Sequence, residues 1–130
     1  MRLHHIGLVV DSIMRKADLY HQSLGFALTT EIVTDPIQKV KIAFAEIGDG
    51  IFIEFIEPLG PDSPVAQFLK RGGGLYHLCY VVQDIEEAVE RVRQTGGLIV
   101  SPPVPARAFN DRRIAFVYTS DGSLVEFLEE

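Results

Sequence analysis

The sequence has a single cysteine, Cys79, so no intramolecular disulfide can form, and it has no Cys-x-x-Cys pair to hold zinc through sulfur. Any metal site must therefore be built from nitrogen and oxygen ligands. No apolar run approaches the roughly 20 residues that a membrane-spanning helix needs, and the opening MRLHHIGLVVDS lacks the layout of a signal peptide. No membrane partner and a cytoplasmic setting are the expectations. Basic residues are also in short supply: 12 Lys and Arg stand against 18 Asp and Glu, a net charge of −6. That balance argues against a nucleic-acid partner, since such binding depends on neutralising phosphates. What is present, 130 residues that are 47% hydrophobic, suffices for one globular domain, 1–130, with its own core.

The chain is organised by a repeat. His5 and Glu54 recur as His77 and Glu126 at an offset of 72 residues, and each His precedes its Glu by 49. Val9, Val10, Ile13, Gly25, Ala43, Phe44, Gly50 and Phe55 recur at the same offset as Val81, Val82, Ile85, Gly97, Ala115, Phe116, Gly122 and Phe127. A period this long exceeds a solenoid repeat and suits two halves of one domain.

Local patterns give each half the same order. In module 1, residues 1–57, the run 3–10 reads as a strand. Ser12 or Asp11 can cap a helix with apolar positions Ile13, Ala17, Tyr20 and Leu24, and Gly25 is its stop. Strands are expected over 26–33, 40–47 and 51–57, with Asp49-Gly50 as a hairpin turn. The connector, 58–74, is rich in Pro and Gly around a short helix at 63–71. Module 2, residues 75–130, repeats the order: a strand at 76–82, a helix capped by Asp84 and carrying Ile85, Val89 and Val92, then strands at 98–101, 114–118 and 124–128. The segment 102–113 reads as its most irregular part. The fold class expected is α+β, built from two repeated βαβββ modules.

Glu54 shares a strand face with Phe52 and Ile56, and Glu126 shares one with Leu124 and Leu128. A carboxylate among apolar side chains is costly unless compensated, and duplication alone gives no reason to retain so costly a pair twice. Two imidazoles at matching positions can compensate both. His5, Glu54, His77 and Glu126 make a set that suits zinc, cobalt, nickel, manganese or iron, and one divalent metal ion per chain is the expectation. His4 has the opposite strand parity to His5 and no counterpart, so it is read as outside the ligand set. His21 is read as a surface residue of the first helix, and Cys79 as packing.

Paired βαβββ units with these four residues resemble the vicinal oxygen chelate superfamily, which includes glyoxalase I, methylmalonyl-CoA epimerase, resistance proteins and extradiol dioxygenases. The stretch IEPLGPDSPVAQFLKRGGG followed by YHLCYVVQDIEEAVERV is most similar to the epimerases. The resemblance implies an open, cup-shaped mixed sheet enclosing a metal ion (Zn, Co, Ni or Mn), and often a homodimer. It implies an isomerase acting by α-proton abstraction on a small-molecule substrate, with an acyl-CoA such as methylmalonyl-CoA as the first candidate. Glu126 would then be both ligand and base, and Glu54 the second acid/base group. The alternatives are a glyoxalase-type lyase and a small-molecule binding or resistance protein. An extradiol dioxygenase would leave Glu54 without a role. Tyr76, Lys39 and the segment PVPARAFNDRRIAFVYTSDGS depart from the epimerase pattern. In that segment Arg107, Arg112 and Arg113 are candidates for binding a phosphate or carboxylate.

Overall fold

The computed structural model describes all 130 residues, 1–130, and divides into two units: His5–Tyr76, and His77–Glu130 together with Met1–His4. In the first, β1 (Arg2–Val9) leads to α1 (Ile13–Leu24), β2 (Val33–Asp35), β3 (Val40–Gly48), β4 (Ile51–Pro58) and the short α2 (Ala66–Lys70). β1 pairs in parallel with β4, β4 antiparallel with β3, and β3 antiparallel with β2. The second unit repeats this plan with β5 (Gly74–Val82), α3 (Ile85–Gln94), β6 (Leu98–Pro105), β7 (Arg113–Tyr118) and β8 (Leu124–Glu129). There β5 pairs in parallel with β8, while β8 with β7 and β7 with β6 are antiparallel. The α+β fold of two βαβββ modules is thus the one the sequence repeat predicts. No helix is long and apolar enough to cross a membrane.

Equivalent positions build the two cores. Val10, Ile13, Ala43, Ala45, Ile53 and Phe55 are buried together in the first unit. In the second, the residues 72 positions later, Val82, Ile85, Ala115, Val117, Val125 and Phe127, pack with Val89 and Val92. Period-2 alternation therefore turns the odd-numbered residues of β3, β4 and β7 toward the helix, leaving Phe44, Glu54 and Phe116 on the other face. α1 and α3 each start on a side-chain cap. Ser12 Oγ accepts from the Arg15 N–H at 3.2 Å, and Asp84 Oδ1 from the Glu87 N–H at 2.9 Å.

The expected strand over 26–33 is corrected: only Val33–Asp35 is strand. Phe26 and Leu28 instead pack against the core, and two threonines replace the ladder. The Thr29 N–H donates to the Phe44 carbonyl at 2.8 Å, and the Phe44 N–H donates to Thr30 Oγ1 at 2.9 Å. The irregular segment is also shorter than predicted, because β6 runs on to Pro105. Register shifts between Ile99 and Val104 absorb Pro102 and Pro103, which have no N–H for the ladder. The connector helix spans only 66–70, and Val65, Phe68 and Leu69 pack with Val9, Val40 and Ile56. Gly73 permits this approach: a Cβ there would lie 2.8 Å from the Val9 carbonyl oxygen.

Candidate metal centre

Each module delivers one imidazole and one carboxylate to the sheet face away from its helix. In the first, β1 and β4 run in parallel with His5 opposite Phe52 and Gly7 opposite Glu54. His5 and Glu54 are therefore diagonal neighbours on one face. His5 is fully buried, Glu54 is 7% exposed, and His5 Nε2 lies 3.5 Å from Glu54 Oε1. In the second module Cys79 stands opposite Glu126. His77 and Glu126 are each 3% exposed, with His77 Nε2 3.1 Å from Glu126 Oε1. The same pair has been built twice from the same register.

These distances test whether the residues suit a metal. Donors each about 2.0–2.2 Å from one ion, at an angle of about 90–110°, lie roughly 3.0–3.5 Å apart. Both pairs fall within that range. At 3.5 Å the His5–Glu54 separation is also longer than an ordinary N–H···O hydrogen bond. An imidazole–carboxylate pair of this spacing, with no sulfur among the donors, fits a divalent cation of the zinc-to-manganese group.

Both imidazoles meet an aromatic ring that stands out in the sequence only as part of the repeat. Phe44 lies opposite Glu54 in the β3–β4 ladder, and its ring stands edge-on to His5, with centroids 5.6 Å apart and planes at 79°. Phe116 lies opposite Glu126 and meets His77 at 5.4 Å and 84°. The shared 72-residue offset is the signal that could have found them.

The other candidates sort clearly. His4 is half-buried with its ring edge-on to Phe109 at 5.6 Å, His21 is exposed on α1, and Cys79 is buried. Tyr76 packs edge-on against Phe68 at 4.9 Å. The expected arginine cluster is corrected at Arg113, which is occupied by two carboxylates. It donates to both Glu129 oxygens, at 2.9 and 2.6 Å, and to both Glu86 oxygens, one at 3.0 Å. These bonds raise the Arg113 pKa and hold the Glu86 and Glu129 carboxyls below the usual carboxylate range. Arg112 donates from Nε to the Phe109 carbonyl at 3.4 Å, and Arg107 is exposed. A scan for opposite charges at the repeat offset would have found the Arg113–Glu129 half of this clasp, because Lys41 and Glu57 are its counterparts, with Nζ 3.6 Å from Oε2, but not Glu86, whose counterpart is Met14.

The chain belongs to the Glyoxalase/Bleomycin resistance protein/Dioxygenase superfamily, whose sequence model matches residues 4–116. Within it, the chain is 30% identical over 129 residues to the ethylmalonyl-CoA/methylmalonyl-CoA epimerase of Cereibacter sphaeroides, covering 96% of this chain and 95% of that one. It is 32% identical over 135 residues to the lactoylglutathione lyase of Escherichia coli O157:H7, covering 100% and 93%. A solved methylmalonyl-CoA epimerase in complex with methylmalonyl-CoA and NH4+ superposes with a TM-score of 0.84 at 25% identity, covering 99% and 94%.

Proposed function

We propose that this chain is a divalent-metal-dependent epimerase, an isomerase that removes and returns the α-proton of a methylmalonyl-CoA-like acyl thioester. The observation that carries the reading is the doubled, buried His–Glu pair on a chain whose relatives include acyl-CoA epimerases. His5, Glu54, His77 and Glu126 would together hold one ion. When bound, the ion supplies Lewis acidity at a substrate oxygen, where negative charge develops as the proton leaves. Glu126, entering as the carboxylate, would take the α-proton, and Glu54, entering as the carboxylic acid, would give its proton to the opposite face, proton exchange with solvent between turnovers resetting both. His5 and His77 fix the carboxylates they face. In this reading the chain is one domain, works as a homodimer in the cytoplasm, and needs neither nucleic acid nor membrane.

The test is the metal content of the purified protein, followed by solvent-deuterium incorporation into methylmalonyl-CoA with metal removed and restored. One ion per chain and exchange that disappears on chelation are expected. Stoichiometric metal without exchange overturns the acyl-CoA assignment.

A second reading, a lyase acting on a thiol hemithioacetal, has an observation of its own. The chain is 32% identical to a lactoylglutathione lyase over its full length, a match as extensive as that to the epimerases. Turnover of the glutathione–methylglyoxal adduct in place of α-proton exchange would select it.

A further inference from the structure

The carboxylate and imidazole of each module share a third neighbour. Phe44 and Phe116 occupy equivalent positions, each directly across an antiparallel ladder from its module's glutamate and edge-on to its histidine. Opposed residues in such a ladder have Cβ atoms about 4.5–5.5 Å apart, so each ring neighbours its module's carboxylate as well as the imidazole that the carboxylate meets.

Each phenylalanine is itself held from its other side. Around Phe44 the main chain is bonded to Thr29 and Thr30, and the ring meets Phe52 at 6.2 Å with planes at 87°. Phe116 is paired through β6 with Ser101, between two register shifts. The repeat positions that follow differ, with Ala45 against Val117 and Glu46 against Tyr118, whereas the ring that touches the imidazole is kept, as is the core alanine before it, Ala43 and Ala115.

From this geometry we infer that Phe44 and Phe116 are positioning residues: each fixes the plane of one imidazole, so that its Nε2 is presented toward the paired glutamate. The inference rests on the metal-centre reading above. The physical reason is rotational freedom. An imidazole on a strand swings about its Cβ–Cγ bond unless a flat neighbour restricts it, and an edge-to-face contact has a preferred angle that an aliphatic side chain does not impose. A ligand held in plane loses less freedom on coordination, so removing its support weakens metal binding.

The experiment compares Phe44→Leu, Phe116→Leu and the ring-retaining Phe44→Tyr and Phe116→Tyr. Zinc affinity is read by competition with a chelating dye, and the Co(II) visible spectrum reports ligand geometry. Long-range 1H–15N spectra of the metal-free protein report each imidazole separately. Both leucine variants should bind zinc roughly tenfold more weakly with an altered Co(II) spectrum, and both tyrosine variants should match the parent. In the metal-free spectra, Phe116→Leu should broaden or split the His77 signals and leave those of His5 sharp, and Phe44→Leu should do the reverse. If the parent binds no ion, the epimerase reading falls, and the imidazole spectra still decide the role of the rings. Leucine variants with parental imidazole signals overturn the inference; so do leucine variants with parental zinc affinity and Co(II) spectrum.

Discussion

Glu54 and Glu126 are equivalent by position and burial, and substitution separates their work. Glutamine keeps the size of either side chain but cannot accept the proton. Glu126→Gln and Glu54→Gln are each expected to slow epimerisation by about 100-fold or more. The informative measurement is solvent-deuterium exchange at the α-carbon alongside product formation, because loss of one base can leave exchange running while inversion stops. The burial of His5, Glu54, His77 and Glu126, and the pairing of each His with its own module's Glu, were legible because burying such groups is costly and the repeat keeps all of them. The glycines were less so. Gly25 and Gly97 share the repeat offset, yet Gly25 is a helix stop at φ +84°, while at Gly97 an added Cβ would lie 2.4 Å from the Tyr118 carbonyl oxygen. Gly97→Ala should therefore lower the melting temperature by roughly 5–10 °C, and Gly25→Ala by less, since its Cβ would meet open space and the cost is confined to the strain of the positive φ. Differential scanning calorimetry checks both.

At the scale of elements, helices and central strands followed from periodicity and caps, and the errors fell where side chains replace the backbone ladder. Thr29 and Thr30 satisfy β3 without continuing a strand, which no alternation pattern shows. Pro102 and Pro103 read as loop residues, but register shifts accommodate them within β6. The contact joining α3 to β7 and β8 was missed because Arg113, Glu86 and Glu129 lie far apart in sequence. It makes stability depend on acid. Since Arg113 depresses both carboxyl pKa values in the folded state, its contribution is fully present above the unfolded carboxylate value near 4.5 and is lost as pH falls through the lower folded values. Melting temperatures from pH 6 to pH 3 should therefore fall more steeply for the parent than for Arg113→Met. Lys41→Met, at the looser counterpart, should change the melting temperature little.

For the molecule as a whole, the proposed ion would act as a ligand of the folded state. Zinc at about 100 times its dissociation constant adds about 2.7 kcal/mol to folding, which should raise the melting temperature by several degrees. The rise should vanish in His77→Ala, and thermal unfolding with and without a chelator measures it. The 72-residue repeat makes the fold class readable in the sequence itself, along with the two His–Glu pairs proposed as donors. Rings and charges are readable only in part: the offset marks Phe44 with Phe116 and Lys41 and Glu57 with Arg113 and Glu129, but it does not show which strands pair and so which of these side chains meet.

Sameness of the donors and difference of their neighbours have a stereochemical consequence. A reaction that inverts one carbon passes through a planar species with two faces, and each face needs its own proton carrier. Two matched His–Glu pairs supply like chemistry to both. Their settings differ, with Gly7 beside Glu54 and Cys79 beside Glu126, and with Phe52 in one half where Leu124 stands in the other. Handedness in the proposed reaction would then reside in these flanking side chains, which decide which face of the planar species each carboxylate meets, while the duplicated donors themselves remain indifferent to it.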